Sequence, residues 1–212
     1  MTEPVEIFLA SRNAKKIAEM QRILVEHLPG VRVLGLDDVT AYDEPIEDRP
    51  TFEGNALVKA LAGAAVTGLP ALADDSGLCV DALNGMPGVL SARWSGSAEG
   101  DDKDARNNRL LLDQLTDVPT ERRGAHFVCA VAFVDARVEG GAPIVVEGRM
   151  SGRVLHEVRG DGGFGYDVLF EADDHPGLAT AELSAAEKDA ISHRGHSLRE
   201  IAPLVAAALA PR

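Results

Sequence analysis

Sulfur and aromatic residues are scarce in this chain, with two cysteines, one tryptophan and two tyrosines among 212 residues. Cys79 and Cys129 are too few for a disulfide framework and neither sits in a metal-spaced pair, so both are expected in the core. No apolar run is long enough to cross a bilayer; the nearest, from Ile201 to Pro211, is broken by Pro203. The stretch from Met1 to Ala10 carries Glu3 and Glu6 without a basic flank or an apolar h-region, so no secretory signal is read there. A soluble, cytoplasmic protein with no membrane partner is the expectation. Positive charge is short as well: 21 Lys and Arg face 34 Asp and Glu, for a formal net charge of -13. Phosphate-backbone binding needs a broad basic footprint, so no nucleic-acid partner is expected. Lysine occurs only five times, and Lys15, Lys16, Lys59 and Lys188 all fall in stretches that stand out for other reasons.

What the chain does have is bulk and clustered polar motifs. At 45% hydrophobic residues it can build a substantial core as a single domain over 1–212, or one domain with two lobes, and no repeat or linker divides it. Its organising stretch is Ala71-Leu72-Ala73-Asp74-Asp75-Ser76-Gly77, an apolar run that stops at two adjacent carboxylates. Such a run reads as the buried end of a strand, and in open α/β sheets ligands sit outside the carboxyl ends of strands. Consecutive strand residues face opposite ways, so one carboxylate can meet a ligand while the other braces the structure. Asp75 is the candidate for the chemistry. The plain alternative is that Asp-Asp-Ser-Gly is a turn, since Asp, Ser and Gly favour turns for backbone reasons.

Val5 to Ala10 reads as a strand, Ser11-Arg12-Asn13 as a turn, and Ala14 to about Leu28 as a helix capped by Asn13, with Ile17, Met20, Leu24 and Leu28 on its buried face. A helix N-terminus presents N–H groups and partial positive charge to an anion, and Lys15 or Lys16 adds a full charge. Val31 to Leu36 is a second strand. The acidic stretch from Asp37 to Pro50, with Asp43, Glu44, Glu47 and Asp48, reads as a solvated loop. Thr51 caps a helix to about Thr67, with Leu57, Leu61 and Ala64 or Ala65 inward and Asn55 and Lys59 sharing another face. Gly100 to Asp104 reads as polar and exposed, Ala105 to Leu115 as a helix, and His126 to Asp135 as a central strand, apolar on both faces. Ile144 to Gly148 and on to Val158 reads as a hairpin or meander. Alternating strands and helices followed by consecutive strands predict a mixed α/β sheet with flanking helices and a ligand cleft.

Gly160 to Asp167 holds four glycines, which permit close backbone approach to a ligand, and Phe164 and Tyr166 offer a face for a flat base; a glycine-rich hairpin with its aromatics in the core is the alternative. Ser184 and Glu187 form a capping box at the start of a helix carrying Lys188. His193 and Arg194 follow, readable as a buried structural histidine and a surface base, or as ligand contacts. Carboxylates without histidine or cysteine clusters suit a hard cation such as Mg2+, held partly by water and substrate phosphates. Lysines, a helix N-terminus, an aromatic loop and an arginine together fit a nucleotide polyphosphate.

Five motifs in order, Ser11-Arg12-Asn13-Ala14-Lys15-Lys16, Thr51 to Ala56, Ala73 to Leu78, Gly163 to Asp167, and Glu187-Lys188 through Ser192-His193-Arg194, closely resemble the inosine triphosphate pyrophosphatase family. The resemblance runs from Ile7 to about Val205. It implies a mixed α/β protein with two lobes around a central substrate cleft, usually a homodimer, that hydrolyses non-standard purine nucleoside triphosphates between the α and β phosphates. It further implies that Ser11, Arg12, Asn13, Ala14, Lys15 and Lys16 bind phosphate, that Asp75 is proton acceptor and magnesium ligand, and that Glu47 is a second metal carboxylate. Ser76, Phe164, Gly165, Tyr166, Asp167, Lys188, His193 and Arg194 match its base and substrate contacts, and Lys59 a phosphate-facing lysine. Arg12 stands where glycine is common and Gly54 where many members have glutamate. A haloacid-dehalogenase-type phosphatase would need an aspartate where Gly77 stands. A Maf-type pyrimidine nucleotide pyrophosphatase lacks the aromatic loop and the His-Arg ending, and an inert nucleotide sensor has no need of every carboxylate.

Overall fold

The computed structural model describes residues 5–96, 102–138 and 140–210. Six strands form one mixed sheet: β1 (Glu6–Leu9), β2 (Arg32–Leu34), β3 (Ala71–Val80), β4 (Gly124–Val134), β5 (Ile144–Val154) and β6 (Phe170–Ala172), in the order β2-β1-β3-β4-β5-β6. β1 pairs parallel with both β2 and β3, and β5 pairs antiparallel with β6. The mixed α/β sheet predicted from the strand and helix order is therefore observed. The helices are α1 (Ala14–His27), α2 (Phe52–Thr67), α3 (Lys103–Gln114), α4 (Ala185–Ile191) and α5 (His193–Leu209). Among the described residues no helix is long and apolar enough to cross a membrane.

The chain gathers into two compact units. The first holds 1–75, 129–147 and 196–212, and its core packs Ile7, Leu9 and Leu72 of the strands against Met20, Ile23 and Leu24 of α1 and Leu198, Ile201 and Val205 of α5. The second holds 76–128 and 148–195, with Leu78, Val80, Leu111, Leu115, Phe127, Met150 and Phe170 in its core. The chain passes from the first unit to the second at the Asp75–Ser76 peptide, midway along β3.

Local chemistry sets the helix ends. The Asn13 side chain accepts from the Lys15 and Lys16 amides at the start of α1. Thr51 caps α2, and Gly68, at φ 69°, ends it in the left-handed conformation that glycine adopts without a Cβ penalty. Of the predicted inward face of α2, Ala64 is buried but Leu57 is only half-buried and Leu61 points out. Leu61 is 46% exposed, and the helix instead buries Phe52, Asn55, Ala56, Ala60, Gly63 and Ala64. Gly63 is the reason for that choice: a Cβ there would run into the Phe8 ring of β1, so the helix rests its smallest residues on the sheet.

β3 corrects the reading of Asp74-Asp75-Ser76-Gly77 as a strand end or a turn. The strand runs unbroken through all four residues, and both carboxylates lie buried within it. β4 is central and buried almost throughout, as its apolar pattern implied. α5 continues through Pro203, with Leu198, Ile201 and Val205 buried and Leu204 exposed.

In the second unit Arg123 is 2% exposed, and its guanidinium donates to three backbone carbonyls, Val118 at 3.0 Å, Leu155 at 2.6 Å and Leu115 at 2.6 Å. Burial lowers its pKa, yet a guanidinium stays protonated at any ordinary pH. Arg123→Leu removes all three donors and leaves buried carbonyls without them. The expected loss of stability is about 3 kcal/mol, read as a lower urea midpoint at unchanged slope.

Candidate functional site

The first unit assembles a group of carboxylates and lysines around β3. Because neighbouring strand residues face opposite ways, Asp74 and Asp75 meet different helices. Asp74 takes Lys16 of α1, whose Nζ lies 2.8 Å from Oδ2 and 3.0 Å from Oδ1. Asp75 takes α2: Asn55 Nδ2 donates to its Oδ2 at 3.0 Å, and Lys59 Nζ lies 3.8 Å from its Oδ1. Asn55 and Lys59 reach the same carboxylate because they stand four residues apart on one helical face. Lys59 also donates to Glu47 Oε1 at 2.8 Å, so one ammonium serves both carboxylates that the resemblance implies as metal ligands.

Asn55 is fully buried, and its Oδ1 accepts from the Arg49 amide at 2.9 Å. That second bond fixes the amide so that its donor points at Asp75. Asn55 lies in the Thr51 to Ala56 motif, yet the sequence reading gave it no role at the site; its spacing of four from Lys59 is the signal that identifies one.

Burial pushes the Asp75 carboxyl above the usual aspartate range, against the lowering effects of the Lys59 charge and the Asn55 hydrogen bond. Burial also pulls the Lys59 ammonium down, but Asp75 and Glu47 outweigh it and its pKa ends up raised. Glu47 and Asp75 offer oxygen donors only, and among the described residues no three His, Cys, Asp or Glu side chains form a metal-holding group. A pair of carboxylates suits Mg2+, which keeps several waters and shares its remaining positions with substrate phosphates.

The turn from Ser11 to Lys16 is more occupied than a bare helix start. Asn13 Oδ1 already accepts from the Lys15 amide at 3.0 Å and the Lys16 amide at 3.4 Å, and Ser11 Oγ accepts from the Asn13 amide at 3.1 Å. Arg12 is paired with Glu44 and lies 3.9 Å from Asp37. Ala14 and Lys15 are exposed at the head of α1. Of the acidic loop, Asp43, Glu44 and Asp48 are exposed as expected, while Glu47 turns toward Lys59.

The second unit carries the other group. Arg194 Nη2 donates to Ser76 Oγ at 3.3 Å, and the arginine lies 5.9 Å from the centre of the Phe164 ring. Lys188 Nζ stands 4.9 Å from the same ring and is paired with the Asp167 carboxylate. Phe164 is 58% exposed, an unusual position for a phenylalanine and a suitable one for stacking. Tyr166 is not available for that purpose. Its ring belongs to the core and its hydroxyl donates to the Ser91 carbonyl at 2.9 Å, so the platform is Phe164 alone. Burial raises the Tyr166 phenol further above its ordinary value, which keeps it protonated.

Asp167 is buried and folds the loop upon itself, accepting the Phe164 amide at 2.8 Å and the Thr180 hydroxyl at 3.2 Å. Gly163 has φ 74°, and a Cβ there would overlap the Asp167 carboxylate, which is why this turn takes glycine. His193 is 8% exposed and stacks on Phe127 with ring centres 4.9 Å apart, the buried structural position that the sequence left open. A cavity of about 650 Å³ adjoins this loop, with Phe164 and Gly165 in one wall and Asn108 and Leu112 of α3 in another. Gly100 and Asp101 of the stretch expected to be exposed lie outside the described residues; Asp102 is exposed, but Asp104 is half-buried and bonded to the loop.

The Asn55 bond yields a signed prediction. It favours the ionised form of Asp75, so Asn55→Leu raises the Asp75 pKa further above its ordinary value. Carboxyl-carbon NMR of Asp75 in magnesium-free buffer should show that upward move; an unchanged or lower titration midpoint would remove Asn55 from this role.

The Ham1 family model matches residues 7–204. The chain is 58% identical to the dITP/XTP pyrophosphatase of Nocardia farcinica over 95% of each chain, and 54% identical to that of Mycolicibacterium paratuberculosis over 93% of this chain and 94% of the relative. Among solved structures, a nucleoside-triphosphatase / dITP/XTP pyrophosphatase from Mycobacterium abscessus superposes with TM-score 0.76 at 51% identity, covering 98% of this chain and all (100%) of the other. A HAM1 protein from Coxiella burnetii superposes with TM-score 0.86 at 38% identity, covering 96% of this chain and 99% of the other.

Proposed function

The chain belongs to the Ham1 family, and from that membership we propose that it hydrolyses non-standard purine nucleoside triphosphates, ITP, dITP and XTP, to the monophosphate and pyrophosphate. The observation that carries the reading is Asp75, a buried carboxylate with a raised pKa, gripped by Asn55 and set beside Lys59 and Glu47. A raised pKa makes the carboxylate a better proton acceptor than an ordinary aspartate.

In this reading Asp75 takes the proton from a water that attacks the α-phosphorus, and the bond from that phosphorus to the α–β bridging oxygen breaks. Lys16 and Lys59 meet the phosphate oxygens, each already held in place by a carboxylate. Glu47 and Asp75 would hold Mg2+, which when bound supplies neutralisation of phosphate charge. Ser76 follows Asp75 directly in the chain and contacts Arg194, which stands beside the exposed Phe164. Phe164 stacks on the purine and Arg194 offers donors to its 6-oxo group, an acceptor that adenine lacks. Dependence on magnesium, a cytoplasmic location and assembly as a homodimer belong to the same proposal.

Pyrophosphate release measured across inosine, xanthosine, adenosine and uridine triphosphates tests the substrate class; the 6-oxo purines are expected to lead. Asp75→Asn keeps the shape but not the basicity, and turnover should fall by about 10²–10⁴-fold at saturating magnesium. Near-normal turnover would rule Asp75 out as the base. Excess chelator should abolish activity and added magnesium restore it.

Arg194→Ala tests the reading of the base. It is expected to lower efficiency on inosine triphosphate far more than on adenosine triphosphate, because a donor aimed at the 6-position rewards only the oxo base. An unchanged ratio with a lower overall rate would move the base-reading role to another residue.

A further inference from the structure

Phe164 poses a physical problem. Its ring is 58% exposed, with two cationic side chains, Lys188 and Arg194, beside it at 4.9 and 5.9 Å, so more than half of it lacks packing that would fix its direction. An exposed ring can stack on a base reproducibly only if the backbone that carries it is held. Asp167 holds one side of it by accepting the Phe164 amide.

The other side is held from α3. Asp104 and Asn108 are four residues apart and therefore share one face of that helix. Asp104 Oδ2 accepts the Gly165 amide at 2.7 Å, and Asn108 Nδ2 donates to the Gly165 carbonyl at 2.9 Å. These groups belong to the two successive peptide units that flank the Gly165 Cα, so together the bonds set both backbone torsions of that residue. Gly165 sits at φ 62°, a conformation that would relax readily without such a grip. Asp104 lies in the first turn of α3, where the helix favours a carboxylate, and the bond from an amide to an ionised acceptor is of the stronger kind. Asn108 is 5% exposed, so its amide donates in a site from which water is largely excluded.

From this geometry we infer that Asp104 and Asn108 are positioning residues for the base platform: they hold the Gly165 peptides from α3 and so aim the Phe164 ring at the purine. The inference rests on the proposed reading of Phe164 as the stacking face. It adds two residues far from it in sequence that act through the backbone of the loop. The function of the clamp is specificity and substrate affinity, with the chemistry at Asp75 untouched.

Steady-state kinetics of the full chain on inosine and adenosine triphosphates, for the parent, Asp104→Ala, Asp104→Asn and Asn108→Leu, test it. Asp104 is only half-buried, so its alanine variant is a mild change to the fold. Asp104→Ala is expected to raise KM for inosine triphosphate by about tenfold and to reduce the preference over adenosine triphosphate, with a much smaller change in kcat. Asn108→Leu is expected to act in the same direction. Asp104→Asn keeps an oxygen acceptor in the same shape and should restore most of the parent's KM, which a role based on charge alone would not produce. Parental KM and preference in Asp104→Ala, or equal damage in Asp104→Asn, would overturn the inference. Hydrogen exchange over residues 160–167 without substrate provides an independent reading. Faster exchange in Asp104→Ala is expected, and unchanged exchange overturns the clamp even if kinetics shift. If the parent itself showed no preference for inosine triphosphate, the proposed function would fall while the exchange measurement still decided whether the clamp exists.

Discussion

The structure depends on taking one carboxylate out of water and giving it partners there. An isolated buried carboxylate is penalised by several kcal/mol. At Asp75, α2 opposes that penalty by delivering an amide donor and an ammonium together. That delivery places demands on the whole helix. Its start is fixed by Thr51, Asn55 and Lys59 must fall on one face, and the helix must lie close enough for both to reach β3. Ala56, Ala60, Gly63 and Ala64 provide the closeness by presenting almost no side-chain bulk to the strands. The apparent oddity of a helix that leaves Leu61 outside and turns glycine inward follows from the needs of Asp75.

Much of this was legible in the chain. Asn13, Thr51 and Ser184 announced three helix starts because a cap is a local interaction between a side chain and amides two or three residues away. The order of the five motifs carried the family, and the apolar run at 126–135 carried the central strand. What could not be read locally depended on partners far along the chain. Asp-Asp-Ser-Gly has every turn-forming residue, yet neighbouring strands and α2 satisfy it in extended form, so tertiary pairing overrides the local preference. Large apolar residues misdirected the reading of α2, since its contact face is chosen for smallness. Tyr166 looked equivalent to Phe164 by type and spacing, and only the Ser91 carbonyl waiting in the core separates them.

The scarcity of lysine also gains meaning. Lys16, Lys59 and Lys188 each stand against a partner carboxylate, Asp74, Glu47 and Asp167. An acidic protein that must receive an acidic substrate cannot rely on its long-range field, which opposes approach. In the proposed reading, short-range, pre-oriented ammonium groups answer that difficulty, because their side-chain freedom is already spent on the protein before any phosphate arrives. The exposed Arg12 is likewise taken up by carboxylates, Glu44 and Asp37, but out in solvent.

Arg123 shows how uneven tolerance to sequence change can be within a single cluster. Its three acceptors are main-chain carbonyls of Leu115, Val118 and Leu155, groups that every amino acid possesses. Those three positions can therefore exchange one apolar side chain for another and still present the same oxygen. The arginine has no comparable substitute: a lysine carries its donors on one atom and cannot span three carbonyls that approach a planar fork from different elements. Drift in this corner of the molecule is thus permitted on one side of each bond and barred on the other. The end of α3, the entry to β4 and the exit from β5 stay joined by a single side chain whose identity is fixed by the geometry of partners that have none.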